Sequence, residues 1–111
     1  MQIEEIRIGS ALVMAVQGRI DAHSAQLFQD QLLGHIERGD TSVLLDFSAL
    51  DFISSTGLRV VLMAAKRLQQ VDGRFAVCAP QQAVGEVFRL GGFASIMDIF
   101  TDRQAALERW K

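Results

Sequence analysis

The sequence lacks the features typical of secreted and membrane proteins. It has one cysteine, Cys78, which excludes an internal disulfide and favours a reducing cytosol. Its N-terminus lacks the basic region and apolar run of a signal peptide, and no apolar run approaches membrane-spanning length. We therefore expect a soluble, cytoplasmic protein that does not insert into a membrane.

An excess of basic residues is also missing. The 11 Lys and Arg residues are balanced by 13 Asp and Glu residues, which gives a net charge of -2. The isoelectric point is about 5.6. Such a chain has neither the basic footprint of a nucleic-acid-binding domain nor a polybasic membrane patch. Nucleic acid and membranes are therefore not expected partners.

What the chain does have is apolar content and the length of one domain. Hydrophobic residues make up 50% of its 111 residues. A chain of this size buries roughly two thirds of the surface that its unfolded form exposes, which is enough for one core. No linker, repeat or low-complexity segment interrupts it, so we expect a single domain over residues 1–111.

Strand and helix patterns alternate along most of the sequence. A hairpin turning at Gly9-Ser10 comes first, and Gly18 is predicted to close its second strand. The apolar run 43–47 is typical of a strand buried on both faces. The predicted order is ββαβαβαβα, which indicates an α/β fold with a mixed, mainly parallel sheet covered by helices.

Short polar residues and glycines predict where the helices begin and end. Asp21 is the predicted N-cap of the first helix, and Gly39 suits its C-terminal stop. Thr101 and Gln104 have the spacing of a capping box for the last helix.

Three consecutive hydroxyl residues, Ser54, Ser55 and Thr56, lie between a predicted strand and the second helix. Ligands of open α/β sheets favour this end of the strands, and the N-terminus of a helix favours negative charge. A phosphate on one of these hydroxyls would therefore be tolerated. The alternative is structural, since Ser55 or Thr56 would also serve as a simple N-cap.

Catalytic and metal-binding patterns are weak. The hydroxyl cluster does not match the Gly-x-Ser-x-Gly elbow of serine hydrolases. His23 and His35 both fall on the first predicted helix, as surface residues rather than bases. The residues Asp21, Asp46 and Asp51 would form a cation site only if the fold clustered them. We therefore expect no enzyme, no cofactor and no bound metal.

The sequence resembles a known family, the STAS domain, and within it the stand-alone bacterial anti-sigma-factor antagonists. The resemblance covers nearly the whole chain. It is carried by "GRID" (18–21), "VLLDFSALDFISSTGLRVVL" (43–62) and "FAVCAPQQAVGEVFRLGGF" (75–93).

The resemblance implies partner switching. The unmodified antagonist binds an anti-sigma factor that is a GHKL-type serine kinase, phosphorylation releases it, and a metal-dependent serine phosphatase resets the cycle. By family position the phosphate acceptor is Ser55, with Ser54 and Thr56 as less favoured acceptors. Ser54 replaces an Asp that is frequent in the family. The resemblance also implies a monomer when free.

The partner surface is expected to surround the hydroxyl turn. Met63 is predicted to be an exposed apolar residue on the second helix, and Arg59 lies one turn from Ser55. The predicted partner-binding residues are Arg19, Asp21, Ser54, Thr56, Gly57, Arg59 and Met63.

Two alternative functions stay open from the sequence. One is a STAS adaptor that is not phosphorylated and serves another signalling or transport assembly, which the missing Asp at position 54 favours. The other is a small-molecule-binding or hydrolytic domain that uses the hydroxyl turn and nearby Asp residues.

Overall fold

A computed structural model describes residues 1–111. The strands and helices are β1 (Gln2–Ile8), β2 (Ala11–Ile20), α1 (Ala25–Glu37), β3 (Ser42–Asp46), β4 (Leu50–Ile53), α2 (Ser55–Gln70), β5 (Arg74–Cys78), α3 (Gln82–Leu90), a 3₁₀ turn (Phe93–Ser95), β6 (Asp98–Phe100) and α4 (Arg103–Arg109). No helix combines the length and the apolar character needed to cross a membrane.

The mixed, mainly parallel sheet is confirmed. Its strands lie in the order β1-β2-β3-β5-β6, and only the β1–β2 pair is antiparallel. The predicted element order was incomplete, because β4 pairs in parallel with the end of β2 and makes the order ββαββαβαβα. The segment is only four residues long and half exposed, so its sequence carries little strand signal.

Both faces of the sheet are covered, as the apolar run 43–47 predicted. On one face, α1, α2 and α3 pack over the main core, to which β3 contributes Val43 and Leu45. On the other face, α4 packs over a smaller cluster that includes Leu44 and Ala106. Alternate side chains of β3 thus enter different cores, which is why this strand is apolar from Val43 to Leu45.

Two predicted chain breaks have different outcomes. The Gly9-Ser10 hairpin is confirmed, with Gly9 at a φ of 60°. Gly18 does not end β2, which continues to Ile20. It lies at a register shift with a φ of 90°, and its backbone N–H donates to the Ala49 carbonyl at 2.9 Å. A glycine inside the strand permits the bulge at which β2 begins to pair with β4.

The predicted ends of α1 and α4 shift by a few residues. The N-cap position of α1 is Ser24 rather than Asp21, because a turn at 22–24 separates Asp21 from the helix. The N-cap of α4 is Asp102 rather than Thr101, and its Oδ1 accepts from the Ala105 N–H at 2.8 Å. Gly39, with a φ of 108°, follows the end of α1 as predicted.

Asp46, at the carboxyl end of β3, is the only charged residue that is buried. Its Oδ2 accepts from Arg103 Nη2 at 2.8 Å and its Oδ1 from the Ser48 N–H at 2.9 Å. Burial opposes ionisation, but the hydrogen bonds from Ser48 and Arg103 outweigh it and keep the pKa of Asp46 below its usual value. This ion pair attaches α4 to the strand that leads toward the hydroxyl turn.

Replacing Arg103 with alanine should lower the free energy of unfolding by about 1–2 kcal/mol at neutral pH, since a buried carboxylate loses its charged donor. Because folding lowers the pKa of Asp46, the contribution is present above about pH 4 and is lost as pH falls through the folded pKa. Urea unfolding at several pH values should therefore show a difference between the two proteins that shrinks in acid. Arg109→Ala, on an exposed residue of the same helix, is the control, and a pH-independent difference for Arg103→Ala would contradict the assignment.

Gly57 sets how closely the start of α2 approaches the sheet. A Cβ at this position would lie 2.7 Å from Ile20 Cγ2 and 2.9 Å from Ile53 Cγ1. Both isoleucines are buried and stiff at χ1, so they have little room to move. Only glycine lets the first turn of α2 lie against β2 and β4.

We expect Gly57→Ala to destabilise the domain by about 1 kcal/mol. The gain in helix propensity is about 1 kcal/mol, and overpacking costs about 1–3 kcal/mol. Gly85→Ala in α3 is the matched control, because its nearest neighbour would be 3.7 Å away, and it should stabilise. Equal shifts of both variants in thermal unfolding would show that the contact at Gly57 carries no cost.

Candidate functional site

The hydroxyl turn lies where β4 ends and α2 begins. The Ser54 N–H donates to the Ile20 carbonyl at 2.8 Å, which ties the turn to the end of β2. Ser54 Oγ accepts from the Gly57 N–H at 3.1 Å, so Ser54 is the N-cap of α2. The prediction that Ser55 or Thr56 caps the helix was wrong, because the cap lies one residue earlier.

Ser55 is consequently the first residue of α2, and its side chain has no capping duty. Ser55 and Thr56 are both exposed, and neither hydroxyl makes a hydrogen bond within the chain. Their backbone N–H groups also have no acceptor, as expected in the first turn of a helix. The turn therefore presents two free hydroxyls beside two free N–H donors.

Asp21 organises the neighbouring loop between β2 and α1. Its Oδ1 accepts from the N–H groups of His23 and Ser24, each at 3.0 Å, and its own N–H donates to Ser24 Oγ at 2.9 Å. The hydrogen bonds from Ser24, followed by that from His23, lower the pKa of Asp21. The carboxylate is thus engaged in shaping its own turn.

Phe52, an aromatic residue beside the turn, was not among the predicted site residues. Phe52 in β4 is 38% exposed, and the guanidinium carbon of Arg19 lies 4.3 Å from the centre of its ring. The two residues face each other across the β2–β4 pair. The only available signal was an aromatic residue in a segment that the sequence analysis did not assign to a strand.

The residues of α2 that were expected at the partner surface differ in accessibility. Arg59 is exposed and makes no ion pair, whereas Arg67, farther along, binds Glu37 at 2.9 Å. Met63 is only half exposed, because it packs against the main core. Gly57 is buried, so its contribution is packing rather than contact with a partner.

The structure does not assemble a catalytic or metal-binding set at the turn. His23 precedes α1, and His35 Nε2 lies 2.7 Å from Glu5 Oε2. The carboxylates of Asp21 and Asp46 are already bound within the chain, and no group of three acidic, His or Cys residues could hold a metal ion. Burial raises the pKa of the Cys78 thiol to about 12, which makes it a poor nucleophile.

One groove of the surface lies away from the turn. Its volume is about 350 Å³, and its lining includes Leu68, Arg74, Met97 and Trp110. None of the residues Ser54, Ser55 and Thr56 lines this groove or either of the two smaller ones. An exposed turn outside these grooves suits contact with another protein better than enclosure of a small ligand.

Comparisons with known proteins agree with this geometry. The family model described as "STAS domain" matches residues 2–106. BtrV of Bordetella bronchiseptica, named a candidate anti-sigma factor antagonist, is 37% identical over 111 residues, which cover 100% of this chain and 96% of BtrV. The anti-sigma F factor antagonist of Paenibacillus polymyxa is 29% identical over 108 residues, which cover 96% of this chain and 92% of that protein.

A solved structure shows the same fold at lower identity. The Bacillus cell fate determinant SpoIIAA in its phosphorylated form superposes with a TM-score of 0.80 and 22% identity, covering 99% of this chain and all of that one. With the family model matched over nearly the whole chain, and the α/β architecture in agreement, the chain belongs to the STAS domain family.

Proposed function

We propose that this chain is an anti-sigma-factor antagonist that binds a GHKL-type anti-sigma serine kinase and is switched off by phosphorylation at Ser55. The observation that carries the proposal is that Ser54 and Ser55 have different structural roles. Ser54 caps α2, while the Ser55 hydroxyl is exposed and free of hydrogen bonds. The names of the relatives support this function, since two of them are called anti-sigma factor antagonists.

In the phosphoryl transfer, this chain supplies only the hydroxyl group that is phosphorylated. Ser55 Oγ attacks the γ-phosphorus of ATP held by the kinase, the new Oγ–P bond forms, and the bond from that phosphorus to the ADP oxygen breaks. The hydroxyl proton passes to a base of the kinase. Catalysis of such a transfer is positioning and electrostatic stabilisation, which the kinase supplies. The antagonist is thus a substrate and a switch, and it is not an enzyme.

Phosphorylation would weaken the complex by electrostatics at the contact surface. A phosphoserine carries about -1.5 to -2 charges at neutral pH. The free N–H groups of Ser55 and Thr56 offer it local hydrogen bonds, so the domain itself is not disrupted. An interface that must bury the dianion loses affinity, and a 10- to 1000-fold loss requires only about 1.4–4 kcal/mol.

The remaining parts of the cycle follow from the same proposal. A metal-dependent serine phosphatase would remove the phosphate, with the metal held by the phosphatase. The free chain would be a monomer. Contact with both partners would involve the exposed residues around the turn, Arg19, Thr56 and Arg59, with half-buried Met63 at its margin.

One observation favours a second function. Ser54 is a neutral cap where the family frequently has Asp, so the turn lacks one negative charge beside the acceptor. A STAS adaptor that is never phosphorylated would not need that charge. Such an adaptor would bind its partner equally well with or without ATP turnover, whereas a switched antagonist would be released.

The switch is tested by incubating the purified chain with ATP and the GHKL-type kinase encoded nearest to it. Mass spectrometry should find one phosphate on Ser55, and Ser55→Ala should accept none. Thr56→Ala is the matched control and should retain phosphorylation, because Thr56 is equally exposed but is not the proposed acceptor. Phosphate on Thr56, or none on the folded wild-type chain, would contradict the assignment of Ser55.

The different roles of the two serines predict different effects of their replacement on the stability of the domain. Ser54→Ala should lower the free energy of unfolding by about 1 kcal/mol, because it removes the N-cap of α2. Ser55→Ala, a surface change, should stay within about 0.5 kcal/mol. Urea unfolding measures both, and Ser54→Asp, which retains a capping oxygen, should restore most of the loss. Equal stability of the two alanine variants would rule out this division of roles.

A further inference from the structure

Arg19 and Phe52 form a composite surface feature, here named the Arg19–Phe52 platform. The guanidinium carbon lies 4.3 Å from the ring centre, within the range of a cation–π contact. Phe52 remains 38% exposed beneath it. Stacking on a ring limits the orientations of a long side chain and leaves the N–H donors of the guanidinium edge pointing outward.

The charge of Arg19 is not neutralised within the chain. The six ion pairs involve the cations of Arg7, His35, Arg67, Arg89 and Arg103. Arg19 is in none of them and makes no side-chain hydrogen bond. The nearby Asp21 carboxylate is already bound to the N–H groups of its own turn. An exposed arginine that stacks on a ring and has no ion-pair partner within the chain is positioned to bind a carboxylate.

The platform is rigidly connected to Ser55. Arg19 pairs with Phe52 across the two strands, and Ile20 pairs with Ile53 one step further along. The Ser54 N–H then binds the Ile20 carbonyl at 2.8 Å. A partner anchored on the platform is thereby held at a fixed position relative to the hydroxyl three residues beyond Phe52.

We propose that the Arg19–Phe52 platform is a docking anchor for an Asp or Glu side chain of the kinase, with apolar contact to the exposed ring edge. The inference rests on the proposed function and adds the chemistry of the partner to it. Arg19 donates paired N–H hydrogen bonds to the carboxylate, and Phe52 keeps the guanidinium in place before binding. Neither residue touches the reacting phosphorus, so both act in recognition.

The test is a titration of the same kinase, in the presence of ADP, with variants of this chain. Arg19→Ala should raise the Kd about 10- to 100-fold, as expected when one partner of an interfacial charge pair is removed. Phe52→Leu should raise the Kd less, because it keeps an apolar side chain but loses the ring. In the double variant the losses should be less than additive, since both changes disable one anchor.

Two controls separate the anchor from general surface effects. Arg38→Ala removes an exposed arginine near the C-terminal end of α1 and should leave the Kd unchanged. Asp51→Asn, beside Phe52, should leave binding equal or tighter, because it removes an acid next to the anchor. All variants should keep the wild-type unfolding temperature, and the wild-type Kd should depend more steeply on salt than that of Arg19→Ala.

The outcomes distinguish this inference from the proposed function. If wild type and Arg19→Ala bind the kinase equally while Ser55 is phosphorylated, the anchor is overturned and the function stands. If Arg19→Ala slows only removal of the phosphate by the phosphatase, the platform serves that enzyme and the inference is likewise overturned. If the kinase neither binds nor phosphorylates the wild-type chain, both proposals fail.

Discussion

The site depends on how the end of β2 is paired. The first half of this strand pairs with β3, but β2 is ten residues long and β3 only five. The bulge at Gly18 transfers the pairing to β4, which continues it as far as Ile20. Because β4 runs directly into α2, this short pairing decides where the hydroxyl turn lies. Loss of that pairing would leave the start of α2 without its attachment to the sheet.

Close packing at the start of α2 gives the turn its rigidity. Gly57 permits contact with Ile20 and Ile53, and Ser54 satisfies the Gly57 N–H. One serine therefore stabilises the helix while the next remains exposed without structural duty. In the proposed phosphorylation, the Ser55 hydroxyl would be held in position by its neighbours rather than by its own hydrogen bonds, which leaves it accessible to the kinase.

The surroundings of the turn suit recognition by another protein. None of the three main surface grooves is lined by the hydroxyl turn, and the carboxylates of Asp21 and Asp46 are engaged within the fold. The exposed features around the turn are two arginines without ion pairs, Arg19 and Arg59, and the ring of Phe52. These are the residue types that dominate protein interfaces. The hydrolytic alternative gains no support, because neither histidine side chain makes a hydrogen bond with a hydroxyl of the turn.

Short-range sequence patterns were enough to predict several features of the fold. These include the Gly9-Ser10 hairpin, the doubly buried β3, the mainly parallel sheet and the place of the hydroxyl cluster before α2. Three other features became visible only in the folded chain: Ser54 is the cap, β4 is a strand, and Arg19 lies on Phe52. The strand character of β4 and the Arg19–Phe52 contact depend on β2 and β4 meeting across some thirty residues of intervening chain. Such pairing is set by the packing of the whole sheet, and local propensity does not encode it.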